Sequence, residues 1–203
     1  MQQSEIINIL KKDLKFSFND LEKLKKLAKM LIYENNRHNL IGKSTENNIW
    51  QRHILDSAQI VKFINFKDSL MADLGSGAGF PGLILGIFNK NPNFHVKLFE
   101  KSPVKRAFLN KVIELLRINV KVENNIYDNP LKADIIVCRA FKKLEEILKI
   151  SREMKKRPHK IIILKGKNAQ EEINRLSLTT NYSYKIKNSI TNTDSKIIIF
   201  EVT

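Results

Sequence analysis

LMADLGSGAGFPGLILG, residues 70–86, passes from a short apolar run through glycines at 75, 77, 79 and 82 into a second apolar run. An apolar strand that ends in such a turn and leads into a helix is the ligand-binding corner of an open α/β sheet. Glycines lack Cβ atoms, so the chain can turn sharply and a guest can approach the backbone. Pro81 suits the first position of the helix that follows, and the start of that helix is expected to offer free N–H donors. A tight turn needing a single glycine accounts for one of the four, not for all.

Outward from this corner the hydrophobic period divides the chain. Downstream, short apolar runs predict strands at 69–74, 95–100, 119–123, 134–138, 160–164, 182–187 and 196–202. Amphipathic stretches near 81–89, 103–117, 141–154 and 168–176 fill the gaps as helices, the alternation of a mostly parallel sheet with crossover helices. A polar turn around Thr191 to Ser195 is expected to pair the last two strands antiparallel. Upstream, segments 4–13 and 17–36 carry helical spacing, with Leu21, Leu24, Leu27, Ala28, Leu31 and Ile32 on one stripe and Ser17 or Asn19 as cap. Ser44 or Thr45 is expected to cap a third helix that runs to about Phe66. The expected organisation is a helical N-terminal extension, 1–66, and an α/β domain of seven strands, 67–203.

Composition narrows the function classes. The chain has 203 residues, enough for one substantial core, and no apolar stretch of the length that spans a membrane. Its start lacks the apolar core of a signal peptide, so a cytoplasmic protein is expected. The single cysteine, Cys138, excludes an internal disulfide framework, and the four histidines show no ligand spacing, so no metal is expected. A formal net charge of +15 is what a phosphate-rich partner, RNA first of all, would select. The other reading of that charge, a Lys-, Asn- and Ile-rich compositional bias spread over solvated faces, stays open.

The guest of the glycine turn is argued from its neighbours. Gly77-Ala78-Gly79-Phe80-Pro81-Gly82 also satisfies the dinucleotide pattern G-x-G-x-x-G. Asp73 separates the two readings: a carboxylate at the mouth repels a pyrophosphate and attracts the amine and sulfonium of S-adenosyl-L-methionine. Glu100, at the end of the second strand, can accept both ribose hydroxyls, as it also would for a nicotinamide dinucleotide. Ile126 or Tyr127, after the third strand, is expected beside the adenine through an apolar or backbone contact, with loop packing as the alternative.

Several further blocks stand in one order: FEKSPVKRAFL at 99–109, CRAF at 138–141 and LKG at 164–166, with Asn39-Leu40 and RHILDS at 52–57 upstream. Together with DLGSGAGFPG they closely resemble the glucose-inhibited division B family, bacterial 16S ribosomal RNA guanine-N7 methyltransferases. The resemblance implies the Rossmann-like methyltransferase fold with a helical N-terminal extension. It also implies S-adenosyl-L-methionine as donor, S-adenosyl-L-homocysteine as product, and a guanine of the decoding region of the small ribosomal subunit as target, for a monomeric enzyme. By position Gly75, Phe80, Ile126, Tyr127 and Arg139 match the family's donor-binding places, beside Asp73, Gly77, Gly79 and Glu100. Tyr33 stands where tryptophan is common, and Ile41 replaces the usual threonine.

Guanine N7 presents a lone pair, so its methylation needs positioning and no general base. The fourth strand accordingly ends in VCRAF, without the Asn/Asp-Pro-Pro-aromatic signature of amino-group methyltransferases. Arg139 is the candidate for substrate positioning, its fork suited to a phosphate or the guanine O6; pairing with Glu145 or Glu146 is the alternative. Cys138 reads as a small buried hydrophobe. Lys165 is a candidate RNA contact or a solvated strand-end lysine. His53, with Arg52 and Asp56, either caps core packing or helps its helix close the donor pocket beside the RNA. The competing functions are a methyltransferase for a small molecule or protein, a non-enzymatic RNA-binding module, and, with less support, a dinucleotide oxidoreductase.

Overall fold

The computed structural model describes residues 1–67, 69–126, 133–154, 158–176 and 182–203. Seven strands, β1 Ser69–Leu74, β2 Phe94–Phe99, β3 Val120–Glu123, β4 Ile135–Arg139, β5 His159–Lys165, β6 Tyr182–Asn188 and β7 Lys196–Val202, form one sheet in the order β3-β2-β1-β4-β5-β7-β6. All neighbours are parallel except β7, which runs antiparallel to both β5 and β6. The strand order reverses between β1 and β4, so the loops that follow them part and leave a crevice at the carboxyl edge.

Alternation along the central strands feeds two apolar layers. Met71, Val96, Leu98, Val137 and Ile162 face one cluster; Ala72, Leu74, Ile136, Cys138, Ile161 and Ile163 face the other. The first cluster is covered by α5 Gly82–Phe88 and α6 Pro103–Leu116, and also by the N-terminal helices α1 Gln3–Lys12 and α2 Phe18–His38 through Leu10, Leu24, Leu27 and Leu31. The N-terminal segment thus shares a core with the sheet instead of owning one. Helices α7 Leu144–Met154 and α8 Ala169–Asn174 cover the second.

Ser17 caps α2, its hydroxyl accepting from Asp20 N–H at 3.2 Å, and Asn39, left-handed at φ 45°, ends it. The apolar stripe of α2 is narrower than its sequence suggests: Ile32 is 45% exposed. The expected continuous third helix is broken. A short α3, Lys43–Glu46, is capped by Gly42, and Thr45 uses its hydroxyl to donate to Gly42 O at 2.8 Å. A π-helical turn, Trp50–Leu55, then passes into α4, Asp56–Ala58, and a 3₁₀ turn, Gln59–Phe63.

Candidate functional site

The turn after β1 is built around its glycines. A Cβ on Gly75, at φ 69°, would lie 2.3 Å from the Phe141 ring, so only glycine lets that ring close on the backbone. A Cβ on Gly77, at φ 58°, would meet nothing nearer than Gly75 O at 4.0 Å. The backbone there borders open space, the cradle a guest would occupy.

Four donors of this turn are spent inside the protein. Ser76 N–H goes to Phe99 O at 3.0 Å, Gly77 N–H to Glu100 Oε2 at 2.8 Å, and Gly79 and Phe80 N–H to Ser76 O at 2.8 and 3.1 Å. At the start of α5, Gly82 N–H is held by Asp73 Oδ2 at 2.9 Å, Leu83 N–H by Gly79 O at 2.8 Å and Ile84 N–H by Pro81 O at 3.0 Å. Pro81 sits one position before the helix, as its cap. The expected free donors are therefore absent at Gly82, Leu83 and Ile84, because the Asp73 carboxylate and the turn's own carbonyls reach them first. A pyrophosphate would find its usual partners taken.

Asp73 is fully buried beneath the turn and does not line the cavity. Burial pushes its carboxyl up to about 7, with the Gly82 N–H pulling the other way. Its second oxygen has no partner among the described residues. Glu100, beyond the end of β2, accepts from Gly77 N–H through Oε2 and from Ser102 N–H through Oε1, each at 2.8 Å.

Two cavities meet at Gly75 and Glu100. The larger, about 500 Å³, is walled by Gly77, Phe80, Arg139 and Lys165 from the sheet side, by His53 and Asp56 from the N-terminal segment, and by Ser189, Ser195, Lys196 and Ile197 from the last hairpin. The smaller, about 180 Å³, lies between Phe99, Ile126 and Phe141. Ile126 is buried there. Tyr127 lies outside the described residues.

Arg139 does not pair with Glu145 or Glu146; Glu146 is taken by Lys142 at 2.6 Å. It reaches across to the π-helical turn instead: Nη1 donates to Arg52 O at 2.7 Å and Asp56 Oδ2 at 3.3 Å, and Nη2 to His53 Nδ1 at 2.7 Å. The guanidinium also lies 5.3 Å from the Phe80 ring centre. His53, buried, stacks on Phe80 with ring centres 5.0 Å apart and places Nε2 2.9 Å from Thr45 Oγ1. Burial and the neighbouring Arg139 and Arg52 charges push its pKa down to about 3, so the ring is neutral.

Lys165 borders the larger cavity, yet its ammonium donates to Lys142 O at 2.6 Å and to both Glu172 oxygens at 2.9 and 2.8 Å. Three protons on three acceptors leave none over for RNA in this arrangement. Cys138 is buried, and desolvation drives its thiol well above its ordinary range, which suits packing and not attack. Sequence reasoning gave no part in the site to Gln59 or Ser189, and took Thr45 for a helix cap, Thr191 for a turn residue and Phe141 only for a member of the CRAF block. The block RHILDS marked Asp56, but the hairpin residues that meet it looked like an ordinary polar turn.

A family model described as rRNA small subunit methyltransferase G matches residues 20–198. The chain is 36% identical over 200 residues to the ribosomal RNA small subunit methyltransferase G of Orientia tsutsugamushi strain Ikeda, covering 98% of each chain. To the protein of that name from Pelagibacter ubique it is 37% identical over 175 residues, covering 83% of this chain and 82% of that one. Among solved structures, a fibrillarin/Nop5p complex aligns with a TM-score of 0.58 at 18% identity, over 75% of this chain and 82% of that one. A SAM-dependent methyltransferase from Aquifex aeolicus aligns with a TM-score of 0.57 at 12% identity, over 78% and 94%. At these identities the structures speak for the fold.

Proposed function

Since the chain belongs to the rRNA small subunit methyltransferase G family and is an enzyme of that class, we propose that it moves a methyl group from S-adenosyl-L-methionine to N7 of a guanine in 16S ribosomal RNA. The target lies in the decoding region of the small subunit, and S-adenosyl-L-homocysteine is the product. The observation that carries this reading is the electrostatic character of the glycine turn. The N–H groups of Ser76, Gly77, Gly79, Phe80 and Gly82 are consumed, one carboxyl group lies under the turn at Asp73 and another beside it at Glu100, and bare backbone faces open space at Gly77. That floor suits a cation and disfavours a pyrophosphate.

Residues for each part of the donor are at hand. Glu100 can take the ribose, Ile126 and Phe141 the adenine in the smaller cavity, and the free edge of Arg139 the carboxylate of the methionine end. The bound donor supplies an electrophilic methyl on a positively charged sulfur. The protein's own residues orient and exclude water; none has to remove a proton. His53 Nδ1 is occupied by Arg139, and the oxygens of Glu100 are occupied by backbone N–H groups. Neither His53 nor Glu100 is a disengaged base, which fits a purine N7, whose lone pair is ready.

In this reading residues 1–66 are a helical extension whose last third walls the site, and 67–203 carry the donor. The protein is a cytoplasmic monomer that meets the small subunit through its +15 charge. Among the described residues no helix is long and apolar enough to cross a membrane. Comparing 16S RNA nucleosides by mass spectrometry from cells with and without the gene tests the whole. Loss of 7-methylguanosine is expected; unchanged RNA would overturn it. RNA affinity is expected to fall by about 0.7 to 0.9 log units per phosphate contact for each log unit of salt.

A further inference from the structure

Asp56 hydrogen-bonds to both Arg139 and the β6–β7 turn, and its two oxygens divide the work. Oδ2 accepts from Arg139 Nη1 at 3.3 Å. Oδ1 accepts from Thr191 Oγ1 at 2.8 Å, Gln59 Nε2 at 3.0 Å and Ser189 Oγ at 3.4 Å. Gln59 reinforces the same joint by accepting from Ile190 N–H at 2.9 Å and donating to Ser189 Oγ at 2.9 Å.

The π-helical turn before Asp56 has a part in this. Asp56 N–H reaches back five residues to Gln51 O as well as to His53 O, and Arg52 O takes a guanidinium proton of Arg139. Wide turns of this kind are frequent at functional sites. Arg139 thus has three of its five N–H protons held by this one stretch of chain: two on Nη1, by Arg52 O and Asp56, and one on Nη2, by His53. Among the described residues, Nε–H and the second Nη2 proton have no acceptor. Nε and Nη2 share one edge of a guanidinium, the edge that can grip a carboxylate in two parallel bonds.

We propose that Asp56 is a positioning residue of the methyl-transfer site: it fixes the rotation of the Arg139 guanidinium so that its Nε edge stays available to the guest. With its other oxygen it locks the β6–β7 turn against the N-terminal segment. The proposal rests on the reading of the cavity as a donor site, but the rotation it describes is a property of the protein alone. Asp56→Asn keeps the shape and brings an amide donor or a neutral acceptor to the guanidinium in place of a carboxylate.

The test is a double-mutant cycle with Arg139→Gln, read by calorimetry with S-adenosylmethionine and S-adenosylhomocysteine, with folding checked by thermal unfolding. Asp56→Asn alone should weaken donor binding on the order of tenfold, and should add nothing once Arg139 is Gln. Thr191→Val breaks the arm to the turn and spares the arm to Arg139; it should lower the melting temperature yet leave donor affinity within about twofold. In the free protein, the ¹⁵N resonance of His53 Nδ1 should shift in Asp56→Asn, because Arg139 is released. Additive losses in the cycle, a Thr191→Val loss of affinity equal to that of Asp56→Asn, or an unmoved His53 resonance each overturn the proposal. A wild-type protein that takes up no donor sinks the donor-site reading instead, and the His53 resonance still decides the rotation.

Discussion

Arg139 Nη2 and His53 Nδ1 stand 2.7 Å apart, and because a guanidinium can only donate, the imidazole must accept at Nδ1 and carry its proton on Nε2. The Nε2–H then donates to Thr45 Oγ1, whose own proton goes to Gly42 O. A chain of donors running one way from β4 to α3 is thereby set by the fixed charge at its head. It ties the N-terminal segment to the sheet at the point where the cavity opens.

Protonating His53 would break this chain, which gives a pH dependence with a definite sign. Burial, then Arg139 and Arg52, lowers its pKa from an ordinary 6.5 to about 3 in the folded protein. The folded state therefore binds fewer protons than the unfolded one in that interval. The contribution is fully present above pH 6.5 and is lost as pH falls toward about 3. Thermal unfolding between pH 7 and pH 4 should show a falling melting temperature, and His53→Gln should flatten the slope. An equal slope in the variant would refute the assignment.

Asp73 titrates in the opposite sense. Its folded pKa is raised from 3.8 to about 7 by burial, so its contribution is fully present below pH 3.8 and is lost as pH rises through about 7. Asp73→Asn can still accept the Gly82 N–H and holds no charge, so it should gain stability relative to the wild type between pH 5 and pH 8. At pH 8 it should also bind S-adenosylmethionine on the order of tenfold less tightly, and S-adenosylhomocysteine, without the sulfonium, less affected. A constant stability difference across that range would show that the carboxyl does not titrate there.

The fold was legible where one physical rule acts alone. β5 carries Ile161, Ile162, Ile163 and Leu164 between Lys160 and Lys165, buried on both faces, and such a run permits little else. The third helix was not, because an amphipathic pattern does not report how tightly the backbone is wound. The five-residue step from Ile49 to Ile54 matches the hydrogen-bond span of a π-helix and was the available hint. The glycine turn and Glu100 could be read locally. Asp56 and Ser189 could not, since they meet across 133 residues, and nothing in a polar turn names its partner.

Lys165 illustrates the same limit and yields a test. A lysine at a strand end looks like an RNA contact, but its side chain is only 12% exposed and its partner Glu172 only 21%. Glu172 also accepts the Leu144 N–H at 2.8 Å, so the pair fastens α7 and α8 to β5. Lys165→Met leaves that carboxylate short of a counter-charge and should cost roughly 2 to 4 kcal/mol of stability. Affinity for RNA, measured on the folded fraction, should change less than twofold. A large loss of RNA affinity with an unchanged melting temperature would restore the lysine to the interface.

The glycines themselves separate folding from binding. A Cβ at Gly82 would lie 2.2 Å from Leu98 Cδ2 and 2.7 Å from Asp73 Oδ2, in a buried seat where neither neighbour can retreat freely. Gly82→Ala should therefore destabilise the protein by about 1 to 3 kcal/mol, the range found for overpacked cores. At Gly77 the added carbon meets only open space, and the cost is the left-handed backbone, about 1 kcal/mol. Gly77→Ala should fold with a melting temperature near that of the wild type and yet lose donor affinity severalfold, because its methyl group enters the cradle. Thermal unfolding and calorimetry on the two variants decide the matter: if Gly77→Ala binds the donor as well as the wild type does, the space above that glycine is not where the donor sits.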